Sequence, residues 1–323
     1  MAAGGWTRTG RRIGNRDCDG FEESLHPGSF SCVTDRQPDS GIDWRHPRVQ
    51  AIWHLWQRLR LSADLQRWHD VCLSQVQPGT DRGAVMRHPS FEFHCIPVGI
   101  DNCYLLRGRT TILIDAGAPG HVKEFMRGMD RLGISLREIE LILLTHGHAD
   151  HIGCLHQIQT LSEAEIAMHE AECAWVESGE PDLSPGVTLW GRMLAGLGQV
   201  LYKPRLYPRA VDYSITTTLS SLMKLGYGVP GQVVHTPGHW PGSISVLLES
   251  GEVFVGDLAM NAWYLRSTPG LPILAQDMDL VVQSWKRLIG MGARQVYPAH
   301  GADFPIEIIQ KEIQAWERRS GTP

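Results

Sequence analysis

Residues 145–151 read Thr-His-Gly-His-Ala-Asp-His, placing His146, His148, Asp150 and His151 within six positions. Imidazoles and carboxylates are borderline-to-hard donors, suited to Zn2+ and also to Fe or Mn. The apolar run 139–144 before them has the length of a strand. After them, Ile152, Leu155, Ile158 and Leu161 keep a helical rhythm. The donors thus fall on a loop between a buried strand and a helix, exposed to a cleft and held rigid from both sides.

Three more predicted strands deliver donors in the same way. Residues 232–235 run into Thr236-Pro237-Gly238-His239, residues 253–255 into Gly256-Asp257, and residues 295–297 into Pro298-Ala299-His300-Gly301. Gly or Pro beside each donor lets the backbone turn tightly at a cleft. A lone His at a strand end is more often structural, but four strand ends in register reverse that reading.

The supporting elements follow the same pattern. Strands are predicted at 91–98, 103–106 and 111–114, the last ending in a tight turn at Asp115-Ala116-Gly117. Residues 243–248 and 253–255 form a hairpin around Ser250-Gly251. Helices are expected at 121–132, 162–177, 279–291 and 305–318. Between 180 and 230, Pro181, Pro185, Pro204 and Pro208 break up any long element, while Val187, Trp190, Leu194, Leu197 and Leu201 share one helical face. That segment reads equally as a substrate cap and as a core helix with a long connection. In the cap reading, Trp190 and Met193 line an apolar wall.

Bulk properties narrow the class. A chain of 323 residues, 42% hydrophobic and 20% charged, has the balance of a soluble globular protein. Its net charge of -5 gives no footprint for nucleic acid or an anionic membrane, and no apolar run is long enough to span a bilayer. The first 20 residues lack the apolar core of a secretory signal. Seven scattered cysteines without a C-x-x-C pattern fit reduced thiols in the cytoplasm better than a disulfide scaffold. Residues 1–85 read as an extension, disordered to about 45 and then helical through Ile52, Leu55, Trp56, Leu59, Leu65 and Trp68. Residues 86–323 form the catalytic domain.

The motifs H-x-H-x-D-H at 146–151, Thr-Pro-Gly-His at 236–239, Gly-Asp at 256–257 and Ala-His-Gly at 299–301 resemble the metallo-β-lactamase-fold hydrolase superfamily over about residues 91–313. The resemblance implies an α/β fold, an αβ/βα four-layer sandwich of two mixed sheets flanked by helices. It also implies two Zn2+ ions (or Fe or Mn), with His146, His148 and His239 on one and Asp150, His151 and His300 on the other. Asp257 would bridge them. Two such cations lower the pKa of a shared water from 15.7 toward about 7, and the resulting hydroxide attacks an electrophilic centre. Asp150 is placed to hold that nucleophile and shuttle its proton.

The bridging Asp257 resembles the glyoxalase II, lactonase and phosphodiesterase branches more than the β-lactamases. Against glyoxalase II itself, the chain ends 23 residues after His300, with no helical glutathione-binding domain. Against the acyl-homoserine-lactone lactonases, Met260 stands where they carry a tyrosine. The expected activity is hydrolysis of a small ester, thioester or lactone. The alternatives are an iron-dependent persulfide dioxygenase of the same fold, or a β-lactamase- or phosphodiesterase-type hydrolase. The expected partner is a small-molecule substrate, with a homodimer left open. Tyr213, Tyr227 and Tyr264 are candidate oxyanion donors, and Asn102 and Tyr104 candidate supports. His94, His121, His156, His169 and His235 read as structural.

Overall fold

The computed structural model of the protein describes Trp6–Arg8 as backbone and residues 91–179, 185–189, 191–193, 195–196, 206–216, 220–262 and 270–320. The expected helical part of the extension, together with Trp190, Leu194, Leu197, Leu201 and Tyr264, lies outside those residues.

The strands form two sheets. The first takes the order β1-β7-β6-β5-β4-β3-β2: β1 is Trp6–Arg8, β2 Glu92–Val98, β3 Asp101–Arg107, β4 Thr111–Ile114, β5 Ile139–Leu143, β6 Glu165–His169 and β7 Tyr213–Ile215. Strands β4 to β7 run parallel, while β2 and β3 form an antiparallel hairpin. The second sheet takes the order β13-β12-β11-β10-β9-β8: β8 is Ser220–Ser221, β9 Gly231–His235, β10 Ile244–Leu248, β11 Glu252–Gly256, β12 Gln295–Pro298 and β13 Phe304–Pro305. Within it only β11 and β12 pair in parallel.

Alternation along the strands builds the layers, because successive side chains point to opposite faces. Tyr104, Leu106, Ile112 and Ile114 of the first sheet meet Ile244, Val246 and Phe254 of the second in an inter-sheet core. Leu105 and Leu113 point the other way, onto Phe125 and Met129 of helix α1, Val122–Leu132. On the far side, Val253 and Val296 pack against Val281 and Trp285 of helix α5, Met278–Gly290, and Ile309 of helix α6, Glu307–Ser320. With both faces buried, the strands read as continuous apolar runs. The result is the four-layer sandwich that the resemblance implies.

Two stretches differ from expectation. Residues 162–177 are not one helix. Helix α3, Leu155–Ser162, ends where Glu163 adopts a left-handed φ of 63°. The chain then enters β6, whose Ile166, Ala167 and Met168 are buried between neighbouring strands. A 3-10 turn, Glu170–Glu172, and helix α4, Cys173–Ser178, follow. A five-residue strand buried on both faces has no period-2 signal, so its apolar residues fit a helical template equally well. In the segment expected to be disordered, Trp6–Arg8 pairs antiparallel with β7. No described helix is long and apolar enough to cross a membrane.

Candidate metal centre

The donors converge at the carboxyl ends of β5, β9, β11 and β12. Helix α2, Ala149–Ile152, starts within the motif, placing Asp150 and His151 in its first turn. Backbone bonds fasten the loops across the sandwich: Ile244 N donates to Thr145 O at 2.9 Å, Ala299 N to Gly256 O at 3.0 Å and Asn261 N to His300 O at 2.9 Å. Gly256 sits at φ 54°, and a Cβ there would lie 2.5 Å from Thr145 Oγ1. Glycine is what lets Asp257 approach the motif loop.

The seven expected donors fall into two groups able to hold an ion: His146, His148, His239 and Asp257, and Asp150, His151 and His300. In the first, His146 Nε2 and His148 Nδ1 are 3.0 Å apart, and His239 Nε2 lies 3.2 and 3.1 Å from them. Asp257 Oδ2 stands 3.9 Å from His146 Nε2 and 3.7 Å from His239 Nε2. A four-coordinate ion with bonds of about 2.0–2.1 Å spaces its ligands about 3.3 Å apart, and these distances lie around that value. In the second group, Asp257 Oδ1 is 3.3 Å from both His151 Nε2 and His300 Nε2, and Asp150 Oδ2 is 3.4 Å from His300 Nε2. The two oxygens of Asp257 therefore face different groups.

The outer hydrogen bonds fix the tautomers, which are inferred from this network. Thr145 Oγ1 contacts both oxygens of Asp115, at 3.0 and 2.8 Å, and must donate there, so it accepts from His146 Nδ1 at 3.1 Å. His151 Nδ1 gives its proton to Asp115 Oδ2 at 2.9 Å, His239 Nδ1 to Leu274 O at 2.7 Å, and His300 Nδ1 to Ile100 O at 3.3 Å. Four Nε2 lone pairs are thereby turned inward. The fifth imidazole, His148, presents Nδ1, and its ring lies against Trp240 with centroids 5.2 Å apart. Among the described residues, His151 Nε2 and Asp257 Oδ1 are buried without a hydrogen-bond partner. Buried lone pairs facing one another at 3 Å repel unless a cation lies between them, so the donor set fits metal ions.

The two groups differ electrostatically. Burial, then the neighbouring imidazoles, hold His146 well below its ordinary pKa, and burial and His239 lower His148 to about 3. Burial also lowers His239. The first group is thus a set of neutral imidazoles. For His151 and His300 burial acts in the same sense, but the carboxylates, Asp257 foremost, outweigh it and raise both. The second group calls for positive charge, and a metal ion or protons can supply it.

Several residues that the motifs do not mark hold this geometry. Asp115, at φ 59°, binds Thr145 N at 2.8 Å as well as the Thr145 hydroxyl and His151. A left-handed non-glycine at a functional turn is a site of stored strain. Its strand-end position marked it as a turn only. Glu172, fully buried, accepts from Gly147 N at 2.5 Å and Gly242 N at 2.8 Å, tying the motif loop to the loop after His239. Burial pushes its carboxyl up to about 8 against the pull of those two donors. It fell in the stretch read as helix, so no signal singled it out. Asn102 and Tyr104, expected as supports, take that part: Asn102 Nδ2 donates to Gly301 O at 2.7 Å and Tyr104 Oη to Pro298 O at 2.7 Å. Tyr213 and Tyr227 instead pack against the inter-sheet core.

The comparisons agree with this architecture. The family described as the Metallo-beta-lactamase superfamily matches residues 96–300. Probable metallo-hydrolase YqjP of Bacillus subtilis is 28% identical over 232 residues, 65% of this chain and 69% of that one. The metallo-beta-lactamase fold-containing protein ST1585 of Sulfurisphaera tokodaii is 26% identical over 246 residues, 70% of this chain and 84% of its own. The crystal structure of the BLEG-1 B3 metallo-beta-lactamase matches with a TM-score of 0.52 and 25% identity, over 68% of this chain and 96% of that one. On its motifs, its sandwich and this match, the chain belongs to the metallo-beta-lactamase superfamily.

Proposed function

We propose that this chain is a dinuclear metal-dependent hydrolase, with zinc as its metal, acting on a small ester, thioester or lactone. The observation that carries the reading is the shared carboxylate. Asp257 turns one oxygen to each of two donor groups, and inward-facing lone pairs fill both. His146, His148 and His239 would hold one cation, and Asp150, His151 and His300 the other. Two cations there supply Lewis acidity and a lowered pKa for the attacking water.

The chain's own residues do the rest. Asp150 is half-buried with a side-chain exposure of 29%, whereas the side chains of His146, His151, His239, Asp257 and His300 are 5% exposed or less and His148 is buried. It is the donor that faces solvent, so it orients the attacking water and takes its proton at a carboxylate oxygen. His300 and His151 keep that carboxylate ionised, overriding the burial that would raise its pKa. Trp240 packs against His148, and Trp175 meets Trp240 in a tilted contact with centroids 4.7 Å apart, so that flank is apolar.

Substrate choice belongs, in this reading, to the cap expected within 180–230, whose described residues include 185–189 and 191–193. Val187 N donates to Ile273 O and Ala275 N to Pro185 O, both flanking the Leu274 carbonyl that fixes His239. Leu189 and Met193, 84% and 53% exposed, offer apolar surface to an acyl chain.

The test is metal analysis joined to a substrate panel of lactones, thioesters, β-lactams and phosphodiesters. Two zinc equivalents with turnover of a lactone or thioester is the expected outcome. Iron, with oxygen uptake on a persulfide, would instead establish the dioxygenase, and full activity in metal-free protein would rule out both.

A further inference from the structure

Asp101 opens β3, one residue before the Asn102 clamp, and is 3% exposed. Its Oδ1 lies 3.2 Å from His300 Nδ1, yet that N–H is directed to the Ile100 carbonyl. Neither oxygen of Asp101 accepts a hydrogen bond among the described residues. A buried carboxylate without donors is costly unless a positive charge stands near it. The nearest site for it is His300, either the ring itself or a cation held on its other nitrogen.

The first group gives no parallel. Its histidines are backed by the Thr145 hydroxyl and the Leu274 carbonyl, both neutral, while His148 Nε2 has no hydrogen-bond partner among the described residues. In the second group His151 is backed by Asp115 and His300 is flanked by Asp101. Asp101, Asp115, Asp150 and Asp257 lie within 3.4 Å of the second group's histidines. Of these, among the described residues, Asp257 is the one with ion-pair distances to the first group, 3.7 and 3.9 Å.

We propose that Asp101 is a positioning residue for the second sub-site, its charge 3.2 Å behind His300 offsetting that of the cation His300 holds. This rests on the two-cation reading. A carboxylate behind a ligating histidine raises its basicity, and removing such a partner weakens metal affinity about 10- to 100-fold.

The test compares wild type with Asp101→Asn, using Zn2+ as probe. Each protein is loaded, competed with a chelator of known affinity, and melted with and without zinc. Expected are two equivalents in wild type, and in the variant one unchanged equivalent and one bound about 10- to 100-fold more weakly. The metal-free variant should melt close to metal-free wild type, because Asp101 accepts no hydrogen bond that the amide would lose, while its zinc-induced rise in Tm shrinks. A lower metal-free Tm with an unchanged zinc-induced rise would mark a merely structural residue and overturn the assignment. Two unchanged equivalents in the variant would overturn it too, leaving the two-cation reading intact. One equivalent or none in wild type would remove both. If Asp101→Asn does not accumulate as folded protein, Asp101→Ser, smaller and equally uncharged, is read in the same two ways.

Discussion

The two donor groups share one carboxylate, yet they are built on different principles. The first gathers neutral imidazoles from both halves of the sandwich and keeps them neutral by burial. The second collects negative charge around two histidines. The first is pre-shaped for a cation, and the second is pre-charged for one. Proteins tune a metal as much through the groups behind the ligands as through the ligands themselves.

The strongest way to break the comparison is to remove what the groups share. Asp257→Ala should lower kcat/KM by about 10³-fold or more, beyond the loss of a single oxyanion donor. It should also reduce metal content at both sub-sites, as read by elemental analysis. Asp115→Asn comes next. It should weaken only the second equivalent, about 10- to 100-fold in chelator competition, since Asp115 orients His151 directly and reaches the first group only through Thr145.

Glu172→Gln sharpens the comparison from the other side. Its amide would set N–H against the Gly147 or Gly242 N–H, leaving a buried donor unpaired at about 1–3 kcal/mol. Urea unfolding should show that loss, and the first equivalent should loosen while the second holds.

The smallest effect is one of pH. His169 stacks on His235 at 4.1 Å and accepts from Ala171 N at 3.2 Å, so it is neutral in the fold. Burial, then His235, lowers its pKa from 6.5 to about 4. The unfolded chain therefore takes up this proton first as acid is added. The stability due to neutral His169 is complete above about 6.5 and is lost as pH falls toward 4. His169→Gln should flatten that fall in denaturant midpoints measured from pH 7.5 to 4.5.

How legible the centre was in the sequence follows from what each part is made of. His146, His148, Asp150, His151, His239, Asp257 and His300 stand at strand ends flanked by Gly or Pro, and that local pattern is readable. The groups behind them are not patterned in this way. Asp101 and Asp115 are ordinary aspartates until the start of β3 meets the loop after β12, and the turn after β4 meets the motif loop, 30 or more residues apart in the chain. Glu172 was hidden by β6, whose burial on both faces erased the period that would have marked it as a strand. The Leu274 carbonyl is backbone and has no signature of its own. The second sheet's continuous apolar strands were legible for the opposite reason: Gly and Pro bounded them sharply.

The central claim is that two unlike cation sub-sites share Asp257, and zinc stoichiometry across His148→Ala and His300→Ala tests it most directly. The account predicts two equivalents in wild type and one in each variant, held by whichever group remains intact. One equivalent in wild type, or the same residual site surviving in both variants, would contradict it.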